Sequence, residues 1–277
     1  MPNSLQDSTA PEQQVRPLHE VIWRHIEAEA RQLAGTESLL TLMIGKYVLA
    51  YRSFADALAN LIARGVADEQ LPATFVRGIV EQIVAEDTGI TQFAAIDLAA
   101  IVERDPAVNG YLHPFLFYNG FRILQTHRVA HRLWQNGKRD TAFALQSALS
   151  RTLSADIHPA VEFGHGIMID HGIGVVIGET AVLGNDISMM HEVTLGGSGV
   201  SSERRHPKVK DGVLLSSGAK LFGDIEIGEA AKVGAGSVVL ASVSPRTTVV
   251  GVPVRPVGGQ HDEVPALTMN HEFPEGA

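Results

Sequence analysis

Cysteine is absent from the 277 residues, which excludes disulfides, thiolate metal sites and cysteine nucleophiles. No run of about 20 apolar residues occurs, as a membrane-spanning helix would need. The opening MPNSLQDSTAPEQQ has neither the basic nor the apolar block of a signal peptide, so a cytoplasmic location is expected. Positive charge is scarce: 22 Lys and Arg against 31 Asp and Glu leave a formal net charge of −9. That balance argues against nucleic acid or an anionic membrane as the main partner. Also missing is any Gly-x-Ser-x-Gly elbow, so no covalent serine nucleophile is signalled. What remains, 45% hydrophobic and 19% charged, is the composition of a globular chain long enough for two domains, each with its own core.

Between Ile157 and Leu240 an apolar residue returns every six positions: Ile157, Phe163, Ile169; then Ile177, Leu183, Met189, Leu195; then Leu215, Leu221, Ile227, Val233, Val239. Four places after every one of these except Leu195 stands a small or branched residue, among them Val161, Ile167, Ile173, Ala181 and Val193. Neither a helix nor an isolated strand has this period. A solenoid does: each hexad is a short strand plus a corner, three hexads make one coil of a three-sided prism, and stacked coils bury a common interior. Gly164, Gly178, Gly184, Gly228 and Gly234 each follow an inward residue, where a tight corner favours the absence of Cβ. The phase breaks twice. Ile169 to Ile177 is two residues too long, and Leu195 to Leu215 reads as one hexad plus fourteen extra residues. In a repeat fold such insertions become loops that commonly build the binding site.

Residues 1–15 are polar and expected to be disordered. Residues 16–153 read as an all-helical domain, 154–258 as the repeat domain and 259–277 as a flexible tail. In the helical half, Leu18 to Leu33 keeps one apolar face, Ser53 caps a helix ending at Gly65, Pro72 opens one running to Glu86, and Thr91 caps another through Val102. Two further periodic segments run from Pro114 to Gln135 and from Thr141 to Leu153.

The chemistry gathers at the breaks. Asp170 and His171 fall on the first; Arg204, Arg205, His206 and Lys208 fall on the second. Asp156 and His171 are fifteen residues apart, a little under one coil, so they can lie on neighbouring rungs. A carboxylate that orients an imidazole while its other nitrogen takes a proton is the orienter and general base of many acyl transfers. The arginines suit a carboxylate or phosphate. The plainer alternatives are a solvated charge run on a loop and histidines that merely cap turns.

Several motifs carry a resemblance: Asp156-Ile157-His158-Pro159, Asp170-His171, Gly178-Glu179-Thr180, Val193-Thr194-Leu195-Gly196-Gly197, Arg205-His206-Pro207-Lys208 and Gly234-Ala235-Gly236-Ser237. With Arg104-Asp105-Pro106-Ala107-Val108 and Gly120-Phe121 in the helical half, the chain resembles the serine O-acetyltransferases of the hexapeptide-repeat acyltransferase family from about residue 18 to 258. The resemblance implies an α+β multidomain chain, an N-terminal all-α domain followed by a left-handed parallel β-helix, an exception to the usual right-handed crossover. It implies transfer of the acetyl group of acetyl-CoA to the L-serine hydroxyl, early in cysteine biosynthesis, with no metal, in a homotrimer or a dimer of trimers. His171 would be the general base and Asp156 its orienter. Asp105 and Asp170 would meet the serine ammonium, Arg205 and His206 its carboxylate. Gly197, Ser217, Gly218, Lys232 and Ala235 match positions along the CoA groove. Three departures stand out. Ser216-Ser217-Gly218-Ala219-Lys220 replaces a Gly-Ala-Gly-Ala-Lys run, His191 stands where a glutamine is common, and Glu275-Gly276-Ala277 replaces the terminal isoleucine that docks into O-acetylserine sulfhydrylase, so the resemblance does not carry that complex over. Other readings are acetylation of homoserine or a sugar, a γ-carbonic-anhydrase-type zinc lyase on the same prism, and a non-catalytic scaffold.

Overall fold

The computed structural model describes residues 16–199 and 203–272; the expected disordered residues 1–15 lie outside it. The first half folds into α1 (Leu18–Leu33), α2 (Ser38–Ile44), α3 (Phe54–Val66), α4 (Ala73–Glu86), α5 (Thr88–Arg104), α6 (Leu112–Phe117), α7 (Asn119–Gln135) and α8 (Arg139–Leu153). Ser53 caps α3 as expected, its Oγ accepting from the Asp56 N–H at 3.1 Å. Gly65, expected to terminate that helix, lies inside its last turn, because the chain leaves through an extended Ala67 and needs no left-handed residue. Thr91 does not cap α5. Asp87 does, accepting from the Gly89 N–H at 2.9 Å, so the helix starts a turn earlier and Thr91 is buried within it. The segment expected as one helix from Pro114 is two, since Tyr118 turns extended between α6 and α7. α2 and the π-helical turn Gly45–Leu49 that follows it have no counterpart in the sequence reading.

The second half is built from strands of two or three residues: β1 (Asp156–Ile157), β2 (Glu162–Phe163), β3 (Met168–Ile169), β4 (Val176–Ile177), β5 (Val182–Leu183), β6 (Ser188–Met189), β7 (Thr194–Gly196), β8 (Lys208–Val209), β9 (Leu214–Leu215), β10 (Lys220–Phe222), β11 (Glu226–Ile227), β12 (Lys232–Val233), β13 (Val238–Val239), β14 (Thr248–Val250) and β15 (Arg255–Val257). They stack into three parallel faces: β1-β4-β7-β10-β13, β2-β5-β8-β11 and β3-β6-β9-β12-β14, with β15 turned back antiparallel on β14. This is the β-helix that the hexads imply. The inward residues are in register from coil to coil, Ile157, Ile177, Leu195, Leu221 and Val239 on the first face.

Two details of the hexad reading change. Val209 pairs with Leu183 and Ile227, so Leu195 to Leu215 holds two hexads and the true insertion is eight residues. Ile173 is exposed and Val175 is the buried residue, because the two-residue slip moves the register at that corner. The corner glycines are also explained differently. Gly164, Gly178, Gly184 and Gly228 are not left-handed; an added Cβ would instead strike the next coil, at Gly178 coming to 1.9 Å from His206 Nε2.

The halves do not keep separate cores: buried apolar side chains form one cluster from Ile22 to Val249. Charged residues pin the seam. Asp97, fully buried on α5, accepts from Gln125 Nε2, Arg128 Nε and Nη2, and the Ile167 N–H at 2.8–3.0 Å. Arg104 Nη1 donates to the Gly166 carbonyl and Nη2 to Asp186 Oδ1, each at 2.9 Å. Gly120 on α7 lies so close to β3 that a Cβ would come to 1.7 Å from the Ile169 carbonyl oxygen. The expected flexible tail is anchored as far as it is described. The short helix α9 (Pro265–Thr268) buries Ala266, whose carbonyl accepts from Ser188 Oγ at 2.6 Å. An apolar residue and a carbonyl that meet partners on β6 give this otherwise polar segment a place to dock.

His127 on α7 is buried, and its Nε2 donates to the Val161 carbonyl at 3.0 Å. Burial first, then His131, push its pKa from 6.5 down to about 3. Between those values an unfolded chain takes up the proton while the folded chain refuses it, so stability falls as pH drops through that window. Urea unfolding at pH 7 and pH 5 should show His127→Phe with the shallower pH slope, by up to about 1.4 kcal/mol per pH unit.

Candidate active site

The prism places the expected site residues on two different corners. At the corner from the third face to the first stand Asp170 and His171 (between β3 and β4), Met190 and His191 (after β6), Ser217 and Gly218 (after β9), and Ala235 (after β12). Backbone bonds stack them: the Gly218 N–H meets the His191 carbonyl at 3.0 Å, and the Gly236 N–H meets the Ser217 carbonyl at 2.8 Å.

His171 takes a left-handed φ of 57°, uncommon for a residue with Cβ, and leaves 67% of its side chain exposed. Its Nε2 stands 3.6 Å from Asp170 Oδ2, and its ring meets that of His191 edge-on at 5.7 Å between centroids. Beside it opens a cavity of about 580 Å³ lined by Asp105, Tyr118, Asp170, His171, Met190 and His271. Asp105 follows the C-terminus of α5. Its Oδ1 accepts from the Ala107 N–H and its Oδ2 from the Tyr118 hydroxyl, both at 2.9 Å. Burial, reinforced by Asp105, raises the Tyr118 phenol to about 12, so it remains a donor at neutral pH. The pocket thus combines two carboxylates and an accessible imidazole with no cation but the edge of Arg104, a chemistry that suits an amine beside a hydroxyl.

The corner from the first face to the second holds His158, Glu179 and Thr180, Gly197, and Arg205 and His206, whereas Asp156 lies on the first face itself, in β1. Arg205 Nη2 donates to Glu179 Oε2 at 2.7 Å, which keeps the Glu179 carboxyl below its usual range. His206 is buried, and Nδ1 accepts from the Thr180 N–H at 3.2 Å. Burial, then the Arg205 charge, lower its pKa. A neutral His206 with Nδ1 accepting carries its proton on Nε2, ready to donate to an anion. A Cβ at Gly197 would lie 3.1 Å from that nitrogen, so the glycine keeps the approach open.

Asp156 and His171 form no bond within the chain. Asp156 Oδ1 instead accepts from Gln146 Nε2 at 2.6 Å, and its charge acts on His158. Lys232 sits on β12, where Nζ donates to the Glu272 carbonyl rather than lining either corner. Glu179 and Tyr118 are the residues that sequence reasoning left without a role. Glu179 was visible in Gly178-Glu179-Thr180, whereas Tyr118 carried no motif. Among the described residues, no three His, Asp or Glu side chains converge as a metal-holding group.

Residues 22–126 match the family model described as "Serine acetyltransferase, N-terminal". The serine acetyltransferase of Escherichia coli (strain K12) is 44% identical over 254 residues, 92% of this chain and 93% of that one. The chain belongs to the serine acetyltransferase family. Members of known structure agree in shape. That of Vibrio cholerae O1 superposes with a TM-score of 0.90 at 44% identity, covering 92% of this chain and 99% of its own. A serine acetyltransferase in complex with CoA gives 0.83 at 41% identity, covering 86% and 100%. Serine acetyltransferase structures thus share both the helical half and the stacked parallel strands seen here.

Proposed function

We propose that this chain is the acetyl-CoA-dependent serine O-acetyltransferase that its family membership indicates, acting at the start of cysteine biosynthesis in the cytoplasm. The observation that carries the reading is the division of labour between corners: acids and an accessible imidazole at one, a paired arginine and a donating histidine at the other. L-serine has three groups to satisfy. Asp105 and Asp170 take the ammonium, Arg205 and His206 take the carboxylate, and His171 faces the hydroxyl.

His171 removes the hydroxyl proton as the serine oxygen attacks the acetyl carbonyl carbon. The C–S bond of the thioester breaks, and the departing CoA sulfur receives that proton. A direct transfer needs no acyl-enzyme, in keeping with a chain that has no cysteine. Ser217, Gly218 and Ala235, in column with His171, are assigned to the pantetheine groove, since small residues let a long ligand lie against the backbone. Gly197 is assigned to the groove's far wall and Lys232 to its outer end.

Because the two half-sites lie on separate corners of one prism, they are completed between copies: Asp156, Arg205 and His206 of one chain face His171 of its neighbour. Three copies around an axis satisfy every corner pair, and pairing of two such trimers through the helical halves remains part of the proposal. Docking of O-acetylserine sulfhydrylase is left out of it; residues 275–277, on which the sequence reading turned, lie outside the described residues.

Thiol release from acetyl-CoA tests the reading. L-serine is expected to elicit release well above that with water, and above that with homoserine, whose extra methylene costs about 1 to 3 kcal/mol in a fitted pocket. Equal rates with homoserine would transfer the assignment to a broader acceptor, and no release with any acceptor would sink it.

A further inference from the structure

Arg205 and His206 stand at the end of the insertion between β7 and β8, and the corner Gly178-Glu179-Thr180 of the preceding coil sets their places. The Thr180 hydroxyl is the centre of that contact. Its oxygen accepts the Arg205 N–H and the His206 N–H, both at 3.2 Å, and lies 2.9 Å from His206 Nδ1. Two N–H donors fill the lone pairs of a hydroxyl oxygen, which directs its own hydrogen to Nδ1. The Thr180 N–H points at the same nitrogen from 3.2 Å. A proton on Nδ1 would meet both donors head-on, so it is held on Nε2. Glu179, the residue before, takes one nitrogen of the Arg205 guanidinium at 2.7 Å. After the pair, the ladder between coils resumes where the Val182 N–H meets the Pro207 carbonyl at 3.3 Å.

The corner itself has no need of a hydroxyl. The register that sets Ile157 on Ile177 puts Ala160 in the equivalent place one coil earlier. Both corners close with the same bond, from the Val161 N–H to the His158 carbonyl and from the Ala181 N–H to the Gly178 carbonyl, each at 3.0 Å. Threonine at 180 therefore adds nothing to the turn. What it adds is three contacts to Arg205 and His206.

We propose that Thr180 is a positioning residue: its hydroxyl fixes the backbone of Arg205 and His206 and keeps the His206 proton on Nε2, so that both side chains are aligned before an anionic group arrives. That this anion is the carboxylate of serine rests on the function proposed above. Thr180→Val removes the hydroxyl at nearly constant shape, and Thr180→Ser retains it. In the valine variant KM for serine is expected to rise about tenfold, the loss of one hydrogen bond to a charged group, with kcat within about threefold and KM for acetyl-CoA unchanged. The Thr180→Ser variant should stay within about twofold of the parent in all three. Nitrogen-15 NMR of the imidazoles in the unliganded chain, with His206 assigned by its loss in His206→Asn, reads the proton directly. It should sit on Nε2 in the parent and in Thr180→Ser, and exchange between the two nitrogens in Thr180→Val. An unchanged KM for serine in an active Thr180→Val chain, a serine variant as impaired as the valine one, or a parent proton on Nδ1 overturns the proposal. Should the valine variant fail to fold, Thr180→Ala takes its place, alanine being what the preceding coil carries at this corner. A parent that acetylates no serine, yet loses the Nε2 proton position with the hydroxyl, would sink the proposed function and leave the positioning role standing; an active parent with its proton on Nδ1 would sink the positioning role alone.

Discussion

Replacing His171 with alanine should cut serine-dependent thiol release by about two to four orders of magnitude, the range supplied by a positioned general base. The chain's midpoint of unfolding should barely move. Most of the His171 side chain is exposed, and its closest ionic neighbour is Asp170 at 3.6 Å, so the fold loses little packing when the ring goes. The loss should appear in kcat more than in KM for serine, since in the proposed assignment Asp105, Asp170 and the arginine corner still hold the substrate. The neighbouring His191 ring makes the test sharper. If it could stand in as the base, His171→Ala would keep a substantial rate and only the double replacement with His191→Gln would abolish it. A single replacement that leaves the rate intact would remove His171 from the mechanism.

Asp97→Ala should cost about 3 to 5 kcal/mol of stability, the usual penalty for stranding the partner of a buried ion pair. The carboxylate receives four hydrogen bonds, from Gln125, from Arg128 twice and from the Ile167 N–H. Its removal strands a guanidinium in the seam and unties α5 and α7 from β3 together. Chemical unfolding measures the cost. Adding Arg128→Met to Asp97→Ala should recover part of it, because an apolar side chain does not need the missing charge. A single variant as stable as the parent would show that the seam is held by apolar burial alone.

The legible parts of this fold are those in which one side chain answers to one geometric demand. Inward positions of a stacked coil must be apolar, so the hexads stand out at Ile177, Leu183 and Met189 without any knowledge of the third dimension. Val209 was hidden because an inserted loop destroyed the count on one side of it. Gly178 was recognised as a corner but for the wrong reason; the constraint is His206 in the next coil, which no local pattern reveals. Asp97 was invisible for a related cause, since a charged residue within a helix reads as a solvated face until its partners are known. At the site, residue types and motifs drew attention to Asp105, Asp170, His171 and Arg205, whereas the place of Asp156 on the first face, in β1 and bonded to Gln146, did not follow from fifteen residues of spacing. Register pairs Asp156 with Val176 and Thr194 with Lys220, so coil length varies, and one-dimensional distance does not say which corner a residue turns.

A stack of parallel strands has two ends, and each end is an invitation to further strands. At the first coil α7 and α8 pack against β3 and β1. At the last, β15 folds back on β14, the Val254 N–H takes the Val238 carbonyl at 3.1 Å, and Pro256, opposite Val249, has no N–H to offer outward. A chain in which this hairpin is cut away would present bare, flat, aliphatic edges, and its hazard would be end-to-end growth into fibres rather than simple unfolding.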